Sequence, residues 1–236
     1  MVDGGGGNTI FKQLKSAGIN WKSIRHIFIT HKHMDHLFGI MWFVRMICQH
    51  INRNTYEGEA YIYGHDEVIK IIGEIANLLL LKRELDLIGD KLHLVTVEDG
   101  EELDIIGHRV RFFDVRSIKT KQFGFTMYYG DGKKLTCCGD EPFHDCEKEY
   151  VYGSEWLLHE AFCLYSQADI FQPYEKNHST VADACKLAAE LKIKNLILYH
   201  TEDKNLQNRK TLYYNEGREY FSGNLYIPND LEVFEV

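Results

Sequence analysis

Proline is scarce, with three in 236 residues, which argues against a disordered linker or a mosaic of small domains. No apolar run approaches the roughly 18 to 20 residues needed to cross a membrane. The longest, at residues 37–44 and 75–81, are less than half that length. The N-terminus, Met1-Val2-Asp3 followed by four glycines, lacks the basic and then apolar stretch of a secretory leader. Basic charge is also short. Lys and Arg number 27 against 35 Asp and Glu, a net charge of −8. A chain that holds nucleic acid through many phosphates carries a basic face, so tight nucleic-acid binding is disfavoured, although a local basic patch is not excluded. The six cysteines (Cys48, Cys137, Cys138, Cys146, Cys163 and Cys185) follow no zinc-finger spacing. They read as reduced, mostly buried thiols of a cytoplasmic protein with no membrane partner.

What remains is ordinary globular material, 44% hydrophobic and 26% charged, of a length that suits one α/β domain over residues 1–236. The pattern predicts a short helix over 8–17, a buried strand over 24–30 and an apolar helix over 37–51. Strands are expected at 59–64, 92–97, 109–115, 156–159 and 195–199, and helices at 66–83, 181–191 and within 205–221. Residues 123–129 and 134–138 flank Gly130-Asp131-Gly132 and read as a hairpin. Two short strands, 225–227 and 231–234, are expected to close the fold. Strands and helices mixed with hairpins suggest a layered α/β architecture rather than a strictly parallel sheet.

The chemistry is concentrated in Thr30-His31-Lys32-His33-Met34-Asp35-His36, where three histidines and an aspartate fall within six residues straight after a strand. Imidazole nitrogen and carboxylate oxygen are standard zinc ligands and also suit manganese or iron. A turn at a strand end can aim several of these side chains into one cavity. His31 and His33, two apart, can share a face, while Asp35 and His36 can reach a second metal nearby.

This run, with the glycine-rich segment before it, resembles the metallo-β-lactamase superfamily. The resemblance implies an α/β fold, an αββα sandwich lacking the first N-terminal strands, and a site for one or two zinc ions at a sheet edge. In that family Asp3 corresponds to a structural aspartate, Asp140 to the carboxylate that bridges two metals and His200 to the last metal ligand. His159-Glu160-Ala161 and His178-Ser179-Thr180 look like paired motifs of the ribonuclease Z group, in which the glutamate and the second histidine form a proton relay. A second reading has Ser179 or Thr180 capping the following helix, with His178 exposed beside it; both can hold.

The sequence departs from the family at three points. Arg116 stands where a third histidine for the first metal is expected, and a guanidinium has no lone pair to give. If the register slips, Asp114 is the nearest alternative. The long RNA-gripping arm of transfer-RNA processing members has no counterpart between Arg116 and Asp140. The two strands expected before the first motif have no counterpart: either they are missing, or the start site is misplaced, or another chain covers the exposed edge, as in a homodimer.

The expected function is therefore metal-dependent hydrolysis of a small or short phosphodiester by attack of a metal-bound water, with transfer RNA disfavoured. The metal ligands would be His31, His33, Asp35, His36, Asp140 and His200. Asp35 would also orient the nucleophile, His178 oriented by Glu160 would protonate the leaving oxygen, and Arg116 would bind substrate. The alternatives are hydrolysis of an ester, thioester or lactone, or a metal-binding sensor with degraded catalysis, which Arg116 would favour.

Overall fold

The computed structural model describes residues 1–235. Contacts divide the chain into two compact units, one of Met1–Asp99 with Ile118–Phe123, the other of Gly100–Ser117 with the residues from Gly124 onward. In the first unit, strands β1 (His26–Phe28), β2 (Ala60–Gly64) and β3 (Leu92–Thr96) pair in parallel in that order. Helices α1 (Thr9–Ser16), α2 (Met34–Asn52), α3 (Asp66–Leu79) and α4 (Lys82–Leu85) accompany them. Helix α2 buries Leu37, Ile40, Phe43, Val44 and Ile47, the three- and four-residue spacing of one helical face. These side chains join Ile27, Ile29 and Ile62 in one apolar cluster.

The expected strand at 24–30 is ladder only over β1, but Ile29 extends the pairing through its N–H to Tyr63 O (2.9 Å). The helix expected over 66–83 breaks in two. Leu80 and Leu81 are extended, and the buried Glu84 carboxylate accepts the Leu81 N–H (3.1 Å), starting α4 afresh. Helix α2 begins three residues earlier than the apolar pattern suggested, so Asp35 and His36 lie in its first turn.

Two glycines make room for this arrangement. The amide of Gly39 donates to Gly5 O (2.8 Å) and that of Gly4 to His36 O (2.7 Å), which draws the N-terminal glycine-rich segment onto α2. A Cβ on Gly39 would lie 1.7 Å from Gly4 O. Only a residue without a side chain fits there.

The second unit carries a sheet ordered β10-β9-β8-β7-β6-β5-β4. Its strands are β4 (Glu102–Ile105), β5 (His108–Asp114), β6 (Phe123–Tyr129), β7 (Lys133–Cys137), β8 (Trp156–Glu160), β9 (Asn195–Tyr199) and β10 (Asn224–Tyr226). The β4–β5 and β6–β7 pairs are antiparallel hairpins, whereas β7, β8, β9 and β10 run parallel. Helices α5 (Lys148–Val151), α6 (Ala168–Phe171), α7 (Val181–Glu190) and α8 (Arg209–Gly217) lie between and after these strands. A core of Phe113, Val115, Leu157, Val181, Cys185, Leu196 and Leu198 holds α7 to the sheet. Strand β4 was not expected, because Glu102-Leu103-Asp104-Ile105 is short and charged.

The strand expected at 231–234 is absent, and that expectation is corrected. Those residues are held by side chains instead of a ladder. Glu232 accepts the Asn229 N–H (2.9 Å) and pairs with Lys210 (2.5 Å), and the Phe234 ring packs edge-on against Tyr226. Among the described residues no helix is long and apolar enough to cross a membrane.

Two predictions concern stability. Gly39→Ala should lower the unfolding free energy by about 3 kcal/mol or more in urea titration, as overpacking against backbone has no flexible neighbour to absorb it. Gly7→Ala, where a Cβ meets nothing within 4 Å, should change it by less than about 0.5 kcal/mol. The second concerns Glu147, whose carboxyl burial pushes up from 4.5 to about 8 despite the His144 N–H that it accepts (2.8 Å). The folded chain keeps this proton where the unfolded chain releases it. Stability should therefore fall as pH rises from about 4.5 to about 8. In Glu147→Gln that decline should flatten, read as the pH dependence of the urea midpoint.

Candidate active site

Each unit carries part of the residue set singled out in the sequence. In the first unit the organising group is Asp3. Its Oδ1 accepts the Thr30 N–H (2.8 Å), and its Oδ2 accepts the Thr30 hydroxyl (2.8 Å) and His36 Nδ1 (2.7 Å). An imidazole that donates from Nδ1 presents a lone pair at Nε2. The Thr30 hydroxyl, its proton given to Asp3, accepts from His31 Nδ1 at 2.9 Å, so His31 likewise presents Nε2. Carboxylate and hydroxyl partners of this kind fix the tautomer of metal-ligating histidines. His31 Nε2 meets His33 Nδ1 at 2.8 Å, and the ring centroids of His31 and His36 are 4.1 Å apart. Asp35 is exposed, with Oδ2 3.5 Å from His36 Nε2. The dense run therefore gathers as expected, with His31 and His36 buried and His33 and Asp35 exposed. Its donor chemistry of clustered, oriented imidazoles with a carboxylate suits zinc, manganese or iron.

In the second unit the chemistry leaves the C-terminal ends of neighbouring parallel strands. Asp140 follows β7, Glu160 ends β8 and His200 follows β9. Register pairs Glu160 with Tyr199, so His200 emerges one residue beyond Glu160 on the adjacent strand. His200 Nε2 stands 3.3 Å from Asp140 Oδ2. Glu160 is fully buried. Its Oε1 accepts the Ser179 N–H, and its Oε2 lies 3.5 Å from His178 Nδ1, an ion-pair contact longer than a hydrogen bond. His178 stacks on Phe162 at 5.1 Å and approaches the His200 ring at the same centroid distance. Ligand-type atoms of Glu160, His178 and His200 lie within 4.8 Å of one another. Thr180 caps α7, accepting the Asp183 N–H while Asp183 accepts the Thr180 N–H. The Thr180 cap and the Glu160–His178 contact therefore coexist, but His178, with its side chain 11% exposed, is not the exposed residue that the capping reading expected.

Arg116 is exposed, and its φ of 55° places it in the left-handed region; its N–H donates to Asp114 Oδ1 (2.8 Å). Asp3, Asn177 and His200 share that backbone region, at φ of 51°, 55° and 54°. Non-glycine residues held there cost on the order of 1–3 kcal/mol and concentrate at functional sites.

Two residues of this neighbourhood were given no role of their own from the sequence. Glu141, buried at 2% exposure, accepts the Ser117 hydroxyl on Oε1 (2.9 Å) and the Asn177 side-chain amide on Oε2. It thereby ties the turn after Arg116 to the residue before His178. Only its position beside Asp140 hinted at this. His159, buried at 1%, donates from Nδ1 to Glu160 O (2.7 Å). Glu202, buried just after His200, closes its own turn by accepting the Lys204 and Asn205 amides. Lys121 and Lys134 are held by Asp66 and by Tyr150 O.

Comparison with known proteins addresses the family and the fold. The chain is 23% identical over 245 residues to a ribonuclease Z of Parabacteroides distasonis, covering 85% of this chain and 78% of that protein. The metallo-β-lactamase fold protein YhfI from Bacillus subtilis superposes with a TM-score of 0.75 at 16% identity, covering 97% of this chain and 84% of that one. The short form of human tRNase Z gives 0.73 at 20% identity, covering 99% and 86%. These structural likenesses establish the metallo-β-lactamase fold. The model of the β-lactamase superfamily domain matches residues 6–201, and the chain belongs to that family.

Proposed function

We propose that this chain is a metal-dependent hydrolase of small or short phosphodiesters. The observation that carries the reading is the buried Glu160 carboxylate held against His178, with His200 and Asp140 beside them at the ends of parallel strands. A carboxylate paired to Nδ1 orients the imidazole and raises its basicity, so that Nε2 can give a proton to a leaving oxygen. The proposed metal ligands are His31, His33, Asp35, His36, Asp140 and His200. A bound divalent metal such as zinc supplies a lowered water pKa and positive charge for the developing oxyanion. Asp35 accepts a proton from, and so orients, the attacking water. Arg116 offers its guanidinium to the phosphate oxygens. Asp3 holds His36, and through Thr30 His31, in the tautomer that ligation needs. The net charge of −8, and the single short hairpin in place of an arm between Arg116 and Asp140, favour a small substrate over precursor transfer RNA.

Elemental analysis of the purified protein should find a transition metal, with less in Asp140→Ala. Asp3→Ala should weaken metal affinity about 10–100-fold by removing the group that orients His36. His178→Ala should lower kcat on a chromogenic phosphodiester by about 10²–10⁴ with little change in KM. Precursor transfer RNA at physiological salt should be a poor substrate. Protein that takes up no transition metal, even after incubation with zinc or manganese, would overturn the reading.

A further inference from the structure

Beside the Glu160–His178 pair the second unit holds a cavity of about 240 Å³. Its walls include Pro142, Phe143, Tyr174 and Leu187, with His159 and His178 among them. The volume is below the roughly 300–1,000 Å³ of pockets that take drug-sized molecules, so it suits one ring system. Phe143 and Tyr174 are aromatic and Pro142 and Leu187 aliphatic, a surface that suits a flat ring, and Ser179 and Asp183 complete the lining, the Asp183 carboxylate being engaged by Thr180 and Tyr174. His159 adds a polar handle. Its Nδ1 donates to a main-chain carbonyl, which leaves Nε2 as an acceptor, and that buried atom has no hydrogen-bond partner in the protein. A buried acceptor without a partner is uncommon in folded proteins and calls for a ligand or water that donates to it.

We infer that this cavity binds the leaving half of the substrate, a nucleobase-like ring whose N–H or amino group donates to His159 Nε2. The inference rests on the phosphodiesterase reading and extends it. In that reaction the oxygen of water bonds to phosphorus. The bond from phosphorus to the leaving oxygen breaks, its electron pair stays on that oxygen, and the proton from His178 Nε2 completes an alcohol. His178 touches the leaving oxygen, and the same imidazole forms one wall of the cavity. Whatever is attached to that oxygen is thus delivered to Phe143, Tyr174 and Leu187. The ring is anchored by contact and selected by its donor. A site that offers an acceptor rejects an analogue lacking the donor more strongly than an apolar wall rejects a change of shape.

The test is calorimetric titration of the purified protein with two nucleosides that share one ring system. Adenosine carries an exocyclic amino group, and purine riboside lacks it. Adenosine should bind about tenfold more tightly. His159→Phe, which keeps a ring but removes Nε2, should erase that difference. Leu187→Trp should fill the cavity from α7 and weaken both ligands, giving a second readout should the buried His159 variant fail to fold. Equal affinities in the wild type, an adenosine preference that survives in His159→Phe, or undiminished binding in Leu187→Trp would each overturn the inference. Nucleoside binding needs no turnover. Absence of phosphodiester hydrolysis with the preference intact would therefore count against the reaction and for the cavity, and hydrolysis without the preference the reverse.

Discussion

One carboxylate holds the first unit's chemistry together. Asp3 lies 27 residues from Thr30 and 33 from His36, yet its two oxygens accept from the amide and hydroxyl of the first and the imidazole of the second. Its own N–H donates to Phe28 O (2.8 Å). Hydrogen bonds to an ionised group contribute roughly 1.5–3 kcal/mol each, so this cluster is strong for its size. Its value to the site is directional. It decides which nitrogen of His36 and, through Thr30, of His31 faces outward. The Gly4–Gly39 approach serves the same end, since without it the N-terminal segment could not reach α2.

The second unit reaches order by a different route. Parallel strands deliver Asp140, Glu160 and His200 to one edge simply because each residue ends or follows its strand. Ligand sites in α/β sheets favour that edge for this reason. Fine placement is then left to local devices. The Thr180–Asp183 cap fixes where α7 starts, and hence where Ser179 meets Glu160. Asn177 and His200 hold left-handed backbone, and the imidazoles of His178 and His200 lie against Glu160 and Asp140.

Much of this was legible in the sequence, and for identifiable reasons. The run from His31 to His36 announced itself by density, and strands such as Asn195–Tyr199 by continuous apolar residues that end at a ligand-type side chain. The break at Leu80–Leu81 was hidden, because a leucine run looks the same in a helix as beyond its end, and the deciding group, Glu84, acts through one backbone amide. The missing strand at 231–234 shows the same limit. The apolar residues of Leu231-Glu232-Val233-Phe234 suggested a short closing strand, but Glu232 engages Asn229 and Lys210 through its carboxylate. Glu141 and His159 were obscure because burial of a charged or polar side chain depends on neighbours distant in sequence. Ser117 and Asn177 are 24 and 36 residues from Glu141.

The β6–β7 hairpin gives the second unit a polarity with a practical side. Its turn at Gly130 and Gly132, both in the left-handed region, opens β7, while Asp140 follows the other end of the same strand. Five residues of strand, roughly 16 Å, lie between. The turn residues are exposed, so a peptide tag or a fluorophore at Asp131 would sit away from every candidate ligand of this unit. The loop is thus a place where length can vary without moving the chemistry, for the experimenter and for evolution alike.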